Sequence, residues 1–451
     1  MANNREIEMT SGPLLGKLIL FALPLAASSI LQQLFNSADT AIVGHYVGKS
    51  ALAAVGSNAP VINLIINVFL GLSLGANVVV ANLIGQGRKD RIPRALHTII
   101  LVSLVSGIFL IFFGMVVSEK LLVLANTPEN VLPLAVVYLK LYFLGMPFIM
   151  VYNFASAVLR SKGNTKVPLY ALFASGVTNI LLNLLFVIVF HMGVEGVGLA
   201  TFISNAISAL LLIFYLMKQT DEFKFDFRKL CIDGNVLWNM IRIGVPAGVQ
   251  GMVFSFSNTV ILSAINSFGE VASAGSAAAL NYEYYSYFVV NSFYQTCVSF
   301  TSQNFGAGNM SRCRKIFKLC MICSVVGSGI LCVLFVSFKK FFAGIYTDDA
   351  GALEFALIRL LHVETFEFMT SSYEITAGAL RGMGWSLTPA IITLVCTCFF
   401  RMGWILVVFK KIPTFEMLMN VYPASWVLTG TLMISFYLVI FRKMSVKKRP
   451  D

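Results

Sequence analysis

Charged residues are scarce in this chain of 451 residues: only 12% are Asp, Glu, Lys or Arg, whereas 57% are hydrophobic. A soluble domain carries about 25% charged and about 45–50% apolar residues. Too few charged side chains are present to cover the surface of a water-soluble protein of this length. The excess apolar surface must therefore face lipid. The composition therefore excludes soluble enzymes, nucleic-acid-binding modules, secreted disulfide scaffolds and disordered chains.

Metal-binding side chains are also few, since the chain has four histidines and eight cysteines. Cys320 and Cys323 have the CxxC spacing, but no second pair follows at the distance of a zinc ribbon. Most of the cysteines lie in apolar runs, which is typical of small apolar helix residues. We therefore predict no metal-binding cysteine cluster and no cofactor. The first residues, MANNREIEMTSGPLLGK, lack a cleavable signal pattern, so the first apolar stretch is predicted to remain as a membrane helix.

Apolar runs of about 20 residues, the length that crosses a bilayer, recur along the whole chain. Twelve of them predict an all-α polytopic membrane protein with twelve transmembrane helices. These spans lie near residues 15–43, 52–84, 95–118, 131–157, 167–190, 193–217, 237–266, 272–301, 316–338, 352–380, 387–409 and 415–441.

The 33 basic residues are distributed unevenly among the loops. Twenty-four lie at the termini and after even-numbered spans, six lie in the opposite loops and three fall within spans. Because basic residues concentrate on the cytoplasmic side of membrane proteins, both termini are predicted to be cytoplasmic. Topology thus accounts for the net charge of +12, and no nucleic-acid partner is expected.

The chain also repeats itself at an offset of 221–222 residues. ALPLAASSILQQLFNS matches GVPAGVQGMVFSFSNT, NLIGQGRKDR matches QNFGAGNMSR, and YNFASAVLRSKGNTKVP matches YEITAGALRGMGWSLTP. Six spans per repeat give both halves the same orientation, so two pseudo-symmetric six-helix bundles around a central cavity are expected. The predicted domains are an N-terminal lobe, 1–217, a charged cytoplasmic linker, 218–236, and a C-terminal lobe, 237–451. A duplicated structural or receptor protein would share this pattern.

Ionisable residues inside a span are costly and therefore indicate function. Asp39 lies in span 1 on one helical face with Ser28, Gln32 and Asn36, and its counterpart in the second repeat is Ile261. Further polar side chains of the same half occur in spans 4, 5 and 6, among them Asn153, Asn179, Asn183 and Thr201. Amide stripes alone can simply tie helices together. A carboxylate among them favours a site that binds a proton or a cation, because burial disfavours its charged form.

The second half offers carboxylates beside aromatic rings, an arrangement that attracts organic cations by charge and cation–π interactions. The candidates for a substrate cavity are Glu283 and Tyr284 in span 8 and Glu367 and Glu374 in span 10, together with Gln32 and Asn36 of span 1. Two alternatives remain open. Glu374 could pair with Arg401 of span 11, and Glu364 could lie near the outer membrane surface.

Four segments resemble the multidrug and toxic compound extrusion (MATE) family, and the resemblance extends along the entire chain. They are PLAASSILQQLFNSADTAIVG in span 1, LRSKGNTKVPL after span 4, VEGVGLAT entering span 6 and SQNFGAGN ending span 8. The resemblance implies an antiporter that exports organic compounds, often cationic drugs or dyes, in exchange for protons or sodium ions. It implies small-molecule substrates, a multi-pass position in the plasma (bacterial inner) membrane and, as we expect, a monomer.

The same resemblance assigns roles to residues of the first half. It implies a proton or cation site formed by Asp39, Asn153, Asn179, Asn183 and Thr201, and sodium would be bound by all of these except Asn153. Pro24 matches a span 1 proline that is linked to bending on protonation. Some members have an aspartate where Asn183 stands, so proton and sodium coupling both stay open. The acidic C-lobe ion site of another branch has no counterpart here.

Two rival functions remain. A lipid-linked saccharide flippase of the same superfamily would share the two bundles, but it usually has more charged cavities and additional spans. A membrane-embedded enzyme would need paired acidic motifs for a diphosphate-bound metal, and no Asp-rich motif lies within a span. Drug resistance and dye extrusion on expression would distinguish a transporter of drugs from both.

Overall fold

The fold was analysed in a computed structural model that describes residues 6–125 and 127–447, with side chains through residue 443. Twelve helical spans, numbered α1 to α12, follow one another along the chain. They are α1 Leu14–Val47, α2 Lys49–Gly85, α3 Lys89–Leu124, α4 Leu132–Leu144 with Met146–Lys162, α5 Lys166–Val189, α6 Val194–Met217, α7 Gly234–Asn266, α8 Glu270–Gly306, α9 Met310–Ser337, α10 Ala350–His362 with Glu364–Met369 and Thr370–Gly382, α11 Leu387–Phe409 and α12 Phe415–Lys443.

Ten of these spans have the length and apolarity of a membrane crossing, counting α4 as one span with a 46° bend at Gly145. The other two, α8 and α10, are long but less apolar. At 37 residues, α8 extends over about 55 Å, which exceeds the hydrocarbon thickness. Many of its polar side chains are buried, so helix neighbours rather than lipid surround them. The predicted all-α architecture with twelve spans is confirmed.

The described chain separates into two compact units. Unit 1 contains residues up to Glu8 and Ala27–Gly248, and unit 2 contains Met9–Ala26 and the chain from Val249 onward. The two changes of unit that fall inside helices, after residues 26 and 248, are 222 residues apart. Each follows a proline inside a helix by two residues, Pro24 in α1 and Pro246 in α7. In each repeat, the start of the first helix is thus grouped with the other unit. The lobes 1–217 and 237–451 stay a prediction.

Glycines explain why the first part of α7 stays in unit 1. A Cβ atom at Gly71 of α2 would lie 2.3 Å from the backbone nitrogen of Gly248, and one at Gly75 would lie 2.4 Å from the carbonyl oxygen of Met240. Gly244 packs against the same stretch of α2. Glycines spaced four residues apart on both helices thus let the two backbones approach closely, as small residues do at membrane helix interfaces.

The predicted linker, 218–236, is packed onto unit 1 along much of its length. Phe223 and Phe225 are buried, and the ring of Phe225 stacks on His97 of α3. The Thr98 hydroxyl donates to the carbonyl oxygen of Cys231 (3.0 Å) and accepts from the backbone N–H of Asp233 (2.9 Å). The segment is therefore packed against α3 within unit 1.

Candidate ion site in unit 1 and buried charges in unit 2

The carboxylate of Asp39 on α1 is bound by an amide of α5. Asn183 Nδ2 donates to Asp39 Oδ1 at 2.6 Å and lies 3.3 Å from Asn179 Oδ1, one helical turn earlier. Asn179 and Asn183 are buried, and Asp39 is partly buried. The structure thus brings the polar faces of α1 and α5 together at these residues, although Asp39 and Asn183 are 144 residues apart along the chain.

A glycine on α5 lets α1 come this close. A Cβ atom at Gly176 would lie 1.8 Å from Cε2 of Phe35, so the phenyl ring occupies the space that a side chain would fill. Phe35 is one turn before Asp39, and Gly176 is one turn before Asn179 and two before Asn183. The ring-to-glycine contact therefore sets the distance between the carboxylate and the two amides.

The amide of Asn179 has two useful orientations. With its nitrogen toward Asp39, it donates to Oδ1 at 2.6 Å and to Oδ2 at 3.3 Å. In the other orientation, its nitrogen lies 3.4 Å from Ser204 Oγ and its oxygen faces Asp39. Because two unprotonated oxygens cannot form a hydrogen bond, the first orientation is the one that suits an ionised Asp39. The Ser204 hydroxyl donates to the carbonyl oxygen of Thr201 at 3.0 Å, which links the amide to α6.

Other predicted members of the site lie differently. Thr201 donates its hydroxyl to Val197 of its own helix and is reached by the hydroxyl of Tyr138. Asn153 donates to the carbonyl oxygen of Ile149, also on its own helix, at 2.8 Å. Tyr138 is buried in α4 and lies on the same side of the site as Asp39 and Thr201. It was missed in the sequence analysis because a tyrosine in an apolar span carries no polar stripe of its own.

The groups around Asp39 suit a hard cation better than a transition metal. Within residues 6–125 and 127–447, no three His, Cys, Asp or Glu side chains come together as a metal site would require. Asn183 Oδ1 is buried and has no hydrogen-bond partner among the described atoms. Amide, hydroxyl and carboxylate oxygens of this kind are the ligands that sodium accepts, so the residues present are compatible with either a proton or a sodium ion.

The remaining candidates on α1 are exposed or distant from Asp39 in sequence. Gln32 and Asn36 expose their side chains, and the backbone carbonyl of Asn36 accepts from the Thr40 hydroxyl at 2.9 Å. Pro24 is buried inside the continuous helix α1 and belongs to unit 2, whereas Asp39 belongs to unit 1. The polar face of α1 is thus accessible on the turns just before the carboxylate.

Glu283, a predicted substrate-binding residue, is already paired in unit 2. Arg359 Nε and Nη2 donate to its two carboxylate oxygens at 2.6 and 2.8 Å, and Arg359 Nη1 donates to Ser276 at 2.7 Å. The exposed fractions of the two side chains are 4% for Arg359 and 8% for Glu283. The adjacent Tyr284 is exposed and makes no such pair. Both carboxylate oxygens of Glu283 accept hydrogen bonds from Arg359, so the carboxylate is not available to a substrate cation. This differs from the substrate-binding role predicted from the sequence.

The carboxylates of α10 that were considered in the sequence are buried inside the protein. Glu364 is fully buried and accepts from the Ser286 hydroxyl at 2.5 Å. Glu374 accepts from the Tyr287 hydroxyl at 3.3 Å, and Glu367 is buried near it in sequence on the 3₁₀ segment. These groups sit inside the helix bundle of unit 2.

Arg401 does not form the ion pair with Glu374 that we considered. Its Nε donates to Ser425 Oγ and its Nη1 to Asn258 Oδ1, each at 3.0 Å. The rings of Tyr422 and Phe254 lie 4.7 and 5.3 Å from its guanidinium carbon. Within the described residues, no carboxylate lies within 4 Å of it, so neutral acceptors and aromatic faces stabilise this buried cation.

Comparisons with known proteins agree with both the repeat and the fold. The MatE family model matches the chain twice, over residues 24–185 and 246–404, so that the two matches begin at Pro24 and Pro246. The chain is 26% identical over 439 residues to the Probable multidrug resistance protein YoeA of Bacillus subtilis (strain 168), covering 95% of this chain and 94% of the relative. It is 29% identical over 397 residues to the Probable multidrug resistance protein YpnP of the same organism, covering 87% of each.

Among solved structures, a similar one is the outward-facing conformation of a multidrug resistance MATE family transporter of the MOP superfamily. The TM-score is 0.91, with 18% identity, and the match covers 99% of this chain and 100% of the other. At that identity the likeness concerns the fold alone.

Proposed function

The chain belongs to the MatE family of multidrug efflux transporters, a family of multi-pass membrane proteins that are not enzymes; on this premise we propose that it is a secondary antiporter. It exports organic cations, such as drugs or other toxic compounds, and takes up protons or sodium ions in exchange. Its substrates cross by alternating access, and both termini face the cytoplasm.

The observation that carries this proposal is the carboxylate of Asp39 in its pocket of amides. Removing an ionised carboxylate from water is costly, so an isolated acid on a membrane helix needs a proton, a cation or strong donors. Asn183 and Asn179 supply donors to the ionised form. Ion occupancy and hydrogen bonding thus compete for the same two oxygens, which is the property that a coupling site needs.

A proton and a sodium ion would use this pocket in different ways. When Asp39 is ionised, the Asn179 nitrogen donates to its carboxylate oxygens. When Asp39 carries a proton, that proton is donated to the Asn179 oxygen, and the Asn179 nitrogen turns to Ser204. A sodium ion would instead bind the carboxylate with the oxygens of Asn179, Asn183 and Thr201, and the available Asn183 Oδ1 supports that mode.

The test is gradient-driven dye transport by the purified protein in proteoliposomes, with the proton and sodium gradients imposed separately. Asp39→Asn keeps the size of the side chain and removes its titration. We expect this variant to fold and bind dye while losing nearly all transport. Asp90→Asn, which removes the same charge from an exposed position, should transport normally. Near-normal transport by Asp39→Asn at equal reconstitution would contradict the proposal.

A further inference from the structure

The exposed apolar side chains of α3 form one stripe along the helix. They are Val105, Phe109, Phe112 and Val116, spaced four, three and four residues apart, and they are 57–72% exposed. Thr98 lies seven residues before Val105 on the same side of the helix but is fully buried, because the linker covers it. An exposed apolar stripe of this kind on a membrane helix faces lipid. The linker therefore crosses α3 where its lipid-facing side ends, about 10 Å along the helix axis from Val105.

Two side chains of α3 fix the linker in this position. The backbone N–H of Asp226 donates to His97 Nε2 at 3.1 Å, and the hydrogen bonds at Thr98 hold the chain five residues further on. Between these two points lies a 3₁₀ turn, Phe227–Lys229, in which the Arg228 N–H donates to Asp226 Oδ1 at 3.0 Å. The turn is thus preorganised, so a ligand that binds it need not order the chain first.

Two apolar side chains of this segment point away from the protein. Phe227 is 53% exposed and Ile232 is 63% exposed, whereas Phe225 is buried against His97. Trp238, near the start of α7, is exposed as well. Aromatic side chains at the ends of membrane helices lie at the level of the lipid headgroups. Phe227 and Ile232 are therefore placed to contact the boundary between headgroups and acyl chains.

Basic side chains accompany these apolar ones. Arg228 and Lys229 are exposed in the turn, and Arg94 is exposed one helical turn before the buried threonine of α3. Across the part of the chain that the structure describes, none of the three lies within 4 Å of a carboxylate. The two nearest acids in sequence, Asp226 and Asp233, accept hydrogen bonds from backbone N–H groups instead. The exposed cations therefore remain available to an anion.

We propose that Phe227, Arg228, Lys229 and Ile232 form a lipid-binding face of the linker, and that its ligand is an anionic phospholipid. The two apolar side chains enter the headgroup boundary, and the two cations bind the lipid phosphate, for which the arginine fork is well suited. The choice of an anionic lipid rests on the proposed function, which places the linker beside the cytoplasmic leaflet, where such lipids are concentrated. Binding there holds the adjoining ends of α3 and α7 at the membrane surface.

The test uses a reporter within the lipid-binding face. Cys231, which is partly exposed, is labelled with bimane after Cys323→Ser has removed the other partly exposed cysteine, and the remaining six cysteines are buried. The full chain is placed in nanodiscs that contain increasing fractions of brominated phosphatidylglycerol or of brominated phosphatidylcholine with the same acyl chains. Quenching of the bimane by bromine then gives the association constant of each lipid at this face.

We expect phosphatidylglycerol to bind the labelled protein about thirtyfold more tightly than phosphatidylcholine, since each of two cations near an anionic surface contributes about a factor of five. Arg228→Gln combined with Lys229→Gln should bring this ratio close to one. The matched control, Arg314→Gln combined with Lys315→Gln, removes the same two charges from exposed positions of α9 and should keep the ratio of the parent protein. Phe227→Ser should weaken the binding of both lipids alike, because the apolar contact does not depend on the headgroup.

Equal quenching by the two lipids in the parent protein would overturn the proposal, and so would an equal fall of the ratio in the α9 variant. Absence of quenching by either lipid would assign this face to a soluble occupant and would overturn it as well. The assay uses neither an ion gradient nor a dye. A chain that selects phosphatidylglycerol but extrudes no dye would therefore contradict the antiporter alone, and dye extrusion without this selectivity would contradict the lipid-binding face alone.

Discussion

The buried pair of Glu283 and Arg359 allows a sharp test of whether unit 2 offers a cation site at that position. Glu283→Gln would leave the guanidinium of Arg359 buried without a counter-charge, and Arg359→Met would leave the carboxylate in the same condition. Breaking a buried pair from one side costs about 3–5 kcal/mol, whereas replacing both partners by apolar residues of similar size is about neutral. The bidentate geometry and low exposure place this pair in that class.

The assay is unfolding of the purified protein in detergent with increasing SDS, together with equilibrium dye binding. We expect each single variant to lose about 3–5 kcal/mol and the double variant, Glu283→Leu with Arg359→Met, to recover most of that loss. Dye affinity should change little in the double variant. The reasoning would be refuted by a Glu283→Gln protein that is as stable as the parent but binds dye more weakly, since the carboxylate would then serve the substrate rather than Arg359.

Three further substitutions test the packing and the ion site. Gly71→Ala should destabilise unit 1 by about 3 kcal/mol in the same unfolding assay, because the new methyl group meets backbone atoms. Gly56→Ala in the same helix meets no atom within 4 Å and should stabilise the protein by up to about 1 kcal/mol. Equal effects of the two substitutions would contradict the close approach of α2 and α7. Gly176→Ala should displace the Phe35 ring and weaken ion-driven dye transport, and Phe35→Leu in the same chain should restore it; a lack of rescue would argue against that contact setting the site. Tyr138→Phe should shift the ion concentration for half-maximal transport about fivefold through loss of its hydrogen bond to Thr201, and an unchanged value would remove Tyr138 from the site.

Much of the candidate ion site was predictable because its residues follow a helical period. Asp39 on α1, and Asn179 with Asn183 on α5, each lie on one face of a helix, and polar faces in lipid must turn toward protein. The repeat sharpened this prediction, since Ile261 replaces the carboxylate in the second half. Which amide contacts which oxygen depends instead on how close α1 comes to α5, and the missing side chain of Gly176 decides that distance.

The partners of the charged residues in unit 2 were not predictable in the same way. Glu283 pairs with Arg359 across 76 residues of chain, and Arg401 takes Ser425 and Asn258 in place of Glu374. Several acids and several arginines fall within neighbouring spans, so composition allows many pairings of equal charge. Which acid pairs with which arginine depends on how each helix is rotated about its axis and shifted along it relative to its neighbours.

The sequence by itself determined the membrane class, the twelve spans, the repeat and the polar face that carries Asp39. Hydropathy and helical spacing depend only on residues close together in the chain, so both can be read without the tertiary structure. Tertiary structure alone decided the packing of the linker on α3, the close approach of α2 and α7 at Gly71 and Gly75, and the pairing of Glu283 with Arg359. Those features depend on contacts between segments far apart in the chain, where a single absent Cβ atom or one guanidinium determines which backbones meet.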